Sequence, residues 1–174
     1  MEDEYHLLAL VLREHYWPSV QGGFVCSPHF HFGSGIKESQ TQEAFDLFFH
    51  LYLSSLELET LRDVARKSQE NVGVESLFEG LPCEVLSRPS LSKRERIKAR
   101  KLRSNEDPWP KFYRDHPGAS GILQLSRVGF NEARDQALLS VGLQVGGLIG
   151  EGHYFFLKRA PEWSVADRLL AWIS

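Results

Sequence analysis

From Glu4 to Tyr16 the residues Tyr5, Leu8, Leu12 and Tyr16 recur at helical spacing, with Leu7 and Val11 widening the stripe. This predicts an amphipathic helix that ends before Trp17-Pro18. Gln21-Gly22-Gly23 reads as a turn, and Phe24 to Phe32 then alternates with a period of two, carrying Phe24, Cys26, Phe30 and Phe32 on one side. Pro28 inside that run predicts an edge strand or a bulge, because proline donates nothing to a ladder. Gln42 to Leu53 is apolar nearly all round and reads as a buried helix, entered through a Ser39/Gln42 pair that resembles a capping box. A second such pair, Ser54 with Glu57, opens an amphipathic helix through Leu58, Leu61, Val64 and Ala65. Gly73, Gly80, Pro82 and Pro89 then predict loops around one short extended piece, Cys83 to Leu86. Ser92 and Glu95 start a last helix in this half whose only apolar anchors are Ile97, Ala99 and Leu102, too thin a stripe to bury much area.

After residue 105 the periodicity changes. Trp109, Phe112 and Tyr113 fit a short helix with Pro108 and Pro110 in its first turn. Four strands are predicted beyond it. Gly121 to Phe130 is the first. Gln136 to Val145, with Ala137, Leu139, Val141, Leu143 and Val145 on one face, is the second, and Gly152 to Arg159 is the third. Trp163 to Trp172 is a fourth, or a strand that runs into a helical turn. Their connections are short, which implies an antiparallel meander. The predicted architecture is one α+β domain over residues 1–174. Residues 1–90 form a mainly helical half with one edge strand, 91–105 a basic surface helix, and 106–174 a meander of about four strands, curved towards a cone, with the helices on one face.

Composition narrows the class. With 174 residues, 42% hydrophobic and 25% charged, the chain can bury a core without cross-links, and two cysteines cannot frame a disulfide scaffold. An acidic start without a basic leader, and no apolar run long enough to span a bilayer, point to a cytoplasmic protein with no membrane partner. Cys26 and Cys83 are then expected as reduced thiols. The net charge of −3 hides an asymmetry: residues 88–103 hold eight basic side chains against one acid. A phosphate contact through Lys93, Arg94, Lys98, Lys101 and Arg103 is one meaning of that run. A solvated helix is the favoured one, because no aromatic residues interleave with the charges.

The second half carries Trp109-Pro-Lys-Phe-Tyr-Arg-Asp-His-Pro-Gly118, Ser126-Arg-Val-Gly-Phe-Asn131, Gln136-Ala-Leu138, Gly150-Glu-Gly-His-Tyr154 and Trp172-Ile-Ser174, over about the last 65 residues. This ensemble resembles a pattern found in an uncharacterised family of small bacterial proteins. The resemblance implies an architecture and brings no activity. Relatives in that pattern carry small residues where Glu151 and His153 stand, which argues against a family-wide catalytic role for either.

Candidate chemistry is sparse. Cys26, His29 and His31 are the one tight group of soft ligands; a third ligand on the face of the two histidines is not evident, so no metal or other cofactor is assigned. The glycines from Gly146 to Gly152 precede a predicted strand instead of a helix, so a hairpin needing positive φ explains them better than a phosphate cradle. No Gly-x-Ser-x-Gly elbow occurs. If the sheet closed into a cone of the nuclear-transport-factor-like type, His153 as acid or base with Glu151, Arg127 and Tyr154 would be the pocket groups. Tyr154 and Phe156 point to one face of their strand and Phe155 and Leu157 to the other, so both faces need a cover. Helices supply one; a protein partner or a second copy is expected to supply the other. The function expected is therefore binding or interaction without catalysis, with the cone-fold enzyme or small-ligand binder and nucleic-acid binding through 88–103 as alternatives.

Overall fold

The computed structural model describes residues 2–16, 23–30, 42–68, 83–85 and 107–174. The basic segment with Lys93, Arg94, Lys98, Lys101 and Arg103 lies outside them, as do His31 and the side chain of His29. The fold is α+β, with most helices in the first half and the sheet mainly antiparallel.

Helix α1 (Glu2–Val11) continues into a single π-helical turn (Leu12–Tyr16). Helices α2 (Gln42–Tyr52) and α3 (Leu58–Lys67) follow strand β1 (Phe24–Phe30), and a short α4 (Trp109–Asp115) precedes the meander. The remaining strands are β2 (Cys83–Val85), β3 (Ile122–Leu125), β4 (Gly129–Phe130), β5 (Gln136–Gly146), β6 (Ile149–Arg159) and β7 (Trp163–Ile173). In the sheet they run in the order β2-β1-β3-β5-β6-β7, with β4 also paired to β5. The meander from β3 through β7 is antiparallel as its short connections require, and Trp163 to Ile173 is strand throughout. The sheet stays open, so the cone does not form.

Two expectations about strands and one about a cysteine are corrected. β1 is an inner strand, pairing in parallel with both β2 and β3; its proline falls where the register with β3 shifts between Cys26 and Phe30. A bulge, and no edge position, accommodates it. The predicted strand from Gly121 to Phe130 breaks in two because Ser126 bonds across to Ser140 through both its backbone N–H and its side chain, whose Oγ accepts from Ser140 N at 2.7 Å, while Arg127 turns to Glu4. Cys26 is disulfide-bonded, and the one other cysteine of the chain, Cys83, stands on the neighbouring strand.

The helices cover both faces. Leu7, Leu8, Val11 and Leu12 pack against Leu123, Leu139, Val141, Phe155 and Leu157, whereas Phe49, Leu53, Leu61 and Val64 pack against Leu138, Tyr154 and Phe156. The two-sided apolar character of β6 is therefore satisfied within the chain. Tyr154 and Phe156 are 2% and 1% exposed under α2 and α3, so neither presents a surface to a partner.

Glycines in the meander also have specific neighbours. A Cβ on Gly129 would fall inside contact distance of the Thr60 carbonyl and the Val64 amide, so its absence lets β4 lie directly on α3. Gly142, Gly150 and Gly152 form a floor under the indole of Trp172. No described glycine between Gly146 and Gly152 has positive φ, so an aromatic ring on bare backbone, and no turn strain, accounts for Gly150 and Gly152. The register of β6 with β7 shifts twice, between Gly152 and His153 and between Phe156 and Leu157.

Candidate functional site

The four residues expected in one pocket divide into three places. Arg127 is 5% exposed and grips Glu4 of α1 with two hydrogen bonds, Nε to Oε2 at 2.7 Å and Nη2 to Oε1 at 2.9 Å. Lys67 stands 3.8 Å from the same carboxylate. Burial raises the Glu4 pKa, but the bonds from Arg127 and the charges of Arg127 and Lys67 outweigh it and hold the carboxyl below its ordinary range. This is a bolt between α1 and the sheet, with no access for a substrate. Tyr154 lies in the core with its ring 4.8 Å from that of Phe49, and burial pushes its phenol up to about 12.

His153 and Glu151 do come together, with a residue the sequence did not mark. Arg168 of β7 places Nη2 at 2.7 Å from His153 Nε2 and 3.9 Å from Glu151 Oε1. The π-helical turn brings His15 and Tyr16 over the same strand, where their rings meet Phe155 at 5.0 and 6.2 Å between centroids. Burial, then the Arg168 charge, lowers the His153 pKa; His15 adds to this and Glu151 opposes it. The imidazole is thus held neutral at pH 7, with a ring nitrogen accepting from Arg168.

The second place with exposed polar chemistry is an open cleft of about 610 Å³ between α3 and the turn from Asn131 to Arg134. Asn131 builds that turn: Oδ1 accepts from the amides of Asp135 and Gln136 at 3.1 and 2.9 Å, and Nδ2 donates to Asp135 at 2.7 Å. Arg134 sits in it with φ of 55°, a left-handed conformation that non-glycine residues rarely adopt. Phe130 forms the floor, with the Arg134 guanidinium 4.4 Å and the Lys67 ammonium 5.0 Å from its ring centre. Asp63 accepts from Lys67, from Arg66 and from the Phe130 amide. Burial raises its pKa, yet these three bonds bring it below the usual carboxylate range. The side chains of Arg62, Arg66 and Arg134 stay 65%, 64% and 54% exposed around the opening, beside Glu59 and Glu132.

Among the described residues no group of three or more His, Cys, Asp or Glu is placed to hold a metal, and no helix is long and apolar enough to cross a membrane. Sequence reasoning missed Glu4, Arg168 and the α3 arginines. Glu4 left a signal, since it stands four residues before Leu8 and seven before Val11 on a stripe that is otherwise buried, and a charge there needs a partner. No protein-family model, no curated protein and no solved structure matches the chain.

Proposed function

We propose that the chain is a small bacterial binding protein without catalytic activity, which engages a partner protein through the cleft between α3 and the turn from Asn131 to Arg134. One observation carries this reading: three exposed arginines surround a buried aromatic floor, and one of them is held there in a left-handed backbone conformation. Arginine is enriched at interfaces because its planar fork binds carboxylates and carbonyls while its face packs on apolar surface. Carboxylates of Glu59 and Glu132 beside these cations suit a partner segment of mixed charge better than a polyanion. Leu58, one helical turn from Arg62, is exposed, as are Leu47, Leu51 and Tyr52 on α2.

A photo-crosslinking side chain placed at Glu132, with Glu162 at the far turn as control, tests the reading in native lysate. A discrete protein adduct at 132 that is absent at 162, and that disappears in Arg62→Glu/Arg66→Glu with circular dichroism unchanged, is expected. Equal adducts at both positions sink the cleft reading, and an adduct consisting of the chain itself replaces the foreign partner by self-association. The proposed setting is the cytoplasm, where the Cys26 disulfide would be reduced at steady state. Thiol labelling during lysis decides this: two labelled cysteines fit the cytoplasm, and none places the chain in an oxidising compartment.

A further inference from the structure

On the sheet face that α1 and the π-helical turn cover, the side chains nearest the β7 edge stay exposed. Val141, His153 and Leu170 lie abreast on β5, β6 and β7, between the row Leu143, Glu151, Ile173 and the row Leu139, Phe155, Arg168. Leu170 and Ile173 are 46% and 71% exposed. The Arg168 guanidinium reaches back over the seam between β6 and β7, yet it spends only Nη2, on His153 and at longer range on Glu151; among the described residues its other nitrogens meet no acceptor. His15 Nε2, on the ring that packs against Phe155, is buried and has no hydrogen-bond partner. Glu14 Oε2 stands 3.9 Å from that nitrogen, too far for a hydrogen bond, and a buried polar atom without one is uncommon in a native fold. The π-helical turn that carries His15 is a rare backbone form that occurs frequently at functional sites.

We propose that this patch binds an aliphatic carboxylate, with its head group on Arg168 and its alkyl chain along Leu170 and Ile173. A single underused guanidinium suits a monoanion, because it offers two parallel N–H donors to one carboxylate. A phosphate dianion would need further cations, and Glu151 stands 3.9 Å from Arg168. An alkyl chain gains by covering the two exposed residues of β7. Glu151 competes for Arg168 from a half-exposed position, so the ligand displaces it into water.

Octanoate, with octanol, acetate and inorganic phosphate as comparisons, is titrated into the full-length chain while the ring signals of His15 and His153 are followed by NMR. Octanoate is expected to move both sets of signals and to bind at least about tenfold more tightly than acetate or octanol. Arg168→Gln should weaken octanoate by about tenfold, and Glu151→Gln should tighten it by about threefold. Leu170→Gln/Ile173→Gln alters only exposed positions and tests the alkyl contact even if Arg168→Gln fails to fold; it should weaken octanoate by about tenfold and leave acetate unchanged. The proposal is overturned if octanol binds as tightly as octanoate, if phosphate binds more tightly, or if millimolar octanoate leaves both histidines unmoved. Sedimentation showing that octanoate acts only by dimerising the chain overturns it as well.

Discussion

At the residue scale, two glycines with crowded neighbours answer differently to the same substitution. Gly129→Ala drives a methyl group into backbone atoms of α3, which move only with the helix, whereas Gly152→Ala meets the half-exposed indole of Trp172, which can swing outward. We expect a loss of about 3 kcal/mol for the first and about 1 kcal/mol for the second in urea unfolding. His153 gives a pH signature. Its folded pKa is depressed by burial and by Arg168, with His15 adding to this and Glu151 opposing it, so its contribution is present above the ordinary histidine value of about 6.5 and is lost as pH falls below it. Stability should decline as pH falls below about 6.5, and Arg168→Gln should make that decline shallower by removing one of its causes. An unchanged slope would show that burial alone sets the shift.

At the element scale, Glu4 and Arg127 join α1 to the strand break after β3, and both side chains are nearly out of water. Arg127→Met leaves the buried carboxylate with the Val128 amide at 3.4 Å and Lys67 at 3.8 Å, and should cost about 3 kcal/mol at pH 7. Since the folded pKa of Glu4 is depressed, its contribution is complete above the unfolded value near 4.3 and disappears as pH falls through the folded one. Glu4→Gln should therefore flatten the acid limb below about pH 4.5 while shifting the midpoint at neutral pH. The elements themselves were legible wherever one period dominated. The alternation of Ala137, Leu139 and Val141 gave β5, and the spacing of Leu8 and Leu12 gave α1, because burial follows those periods. Pairing was not legible in the same way. That β1 lies inside the sheet, in parallel with β3, is set by a crossover through α2 and α3 that no local pattern encodes. For the candidate sites the limit was similar: His153 stood out by type, but Arg168 looked like one more surface charge until the register placed it across the seam.

At the scale of the whole molecule, the chain separates an acidic body from the basic run at 88–103, and the question is whether that run holds phosphates. If the run is a solvated surface, replacing Lys93, Arg94, Lys98, Lys101 and Arg103 together by Gln leaves the unfolding midpoint nearly unchanged, because charges on such a surface are each worth less than about 0.5 kcal/mol. A shift of duplex DNA or RNA at micromolar protein that fades with salt and vanishes in the replaced chain would assign the run to nucleic acid instead. The open sheet brings a different demand. With α1 on one face and α2 and α3 on the other, the outer side of β7 is the longest rim of unpaired backbone among the described strands. Such a rim templates stacking of copy upon copy unless it is bent or charged. β7 is both, since its ladder slips twice and Asp167 and Arg168 lie between the slips. The irregular seam thus acts as a guard against fibre growth, and deleting one residue at a slip to straighten the ladder should turn a dispersed protein into one that binds amyloid dyes on standing.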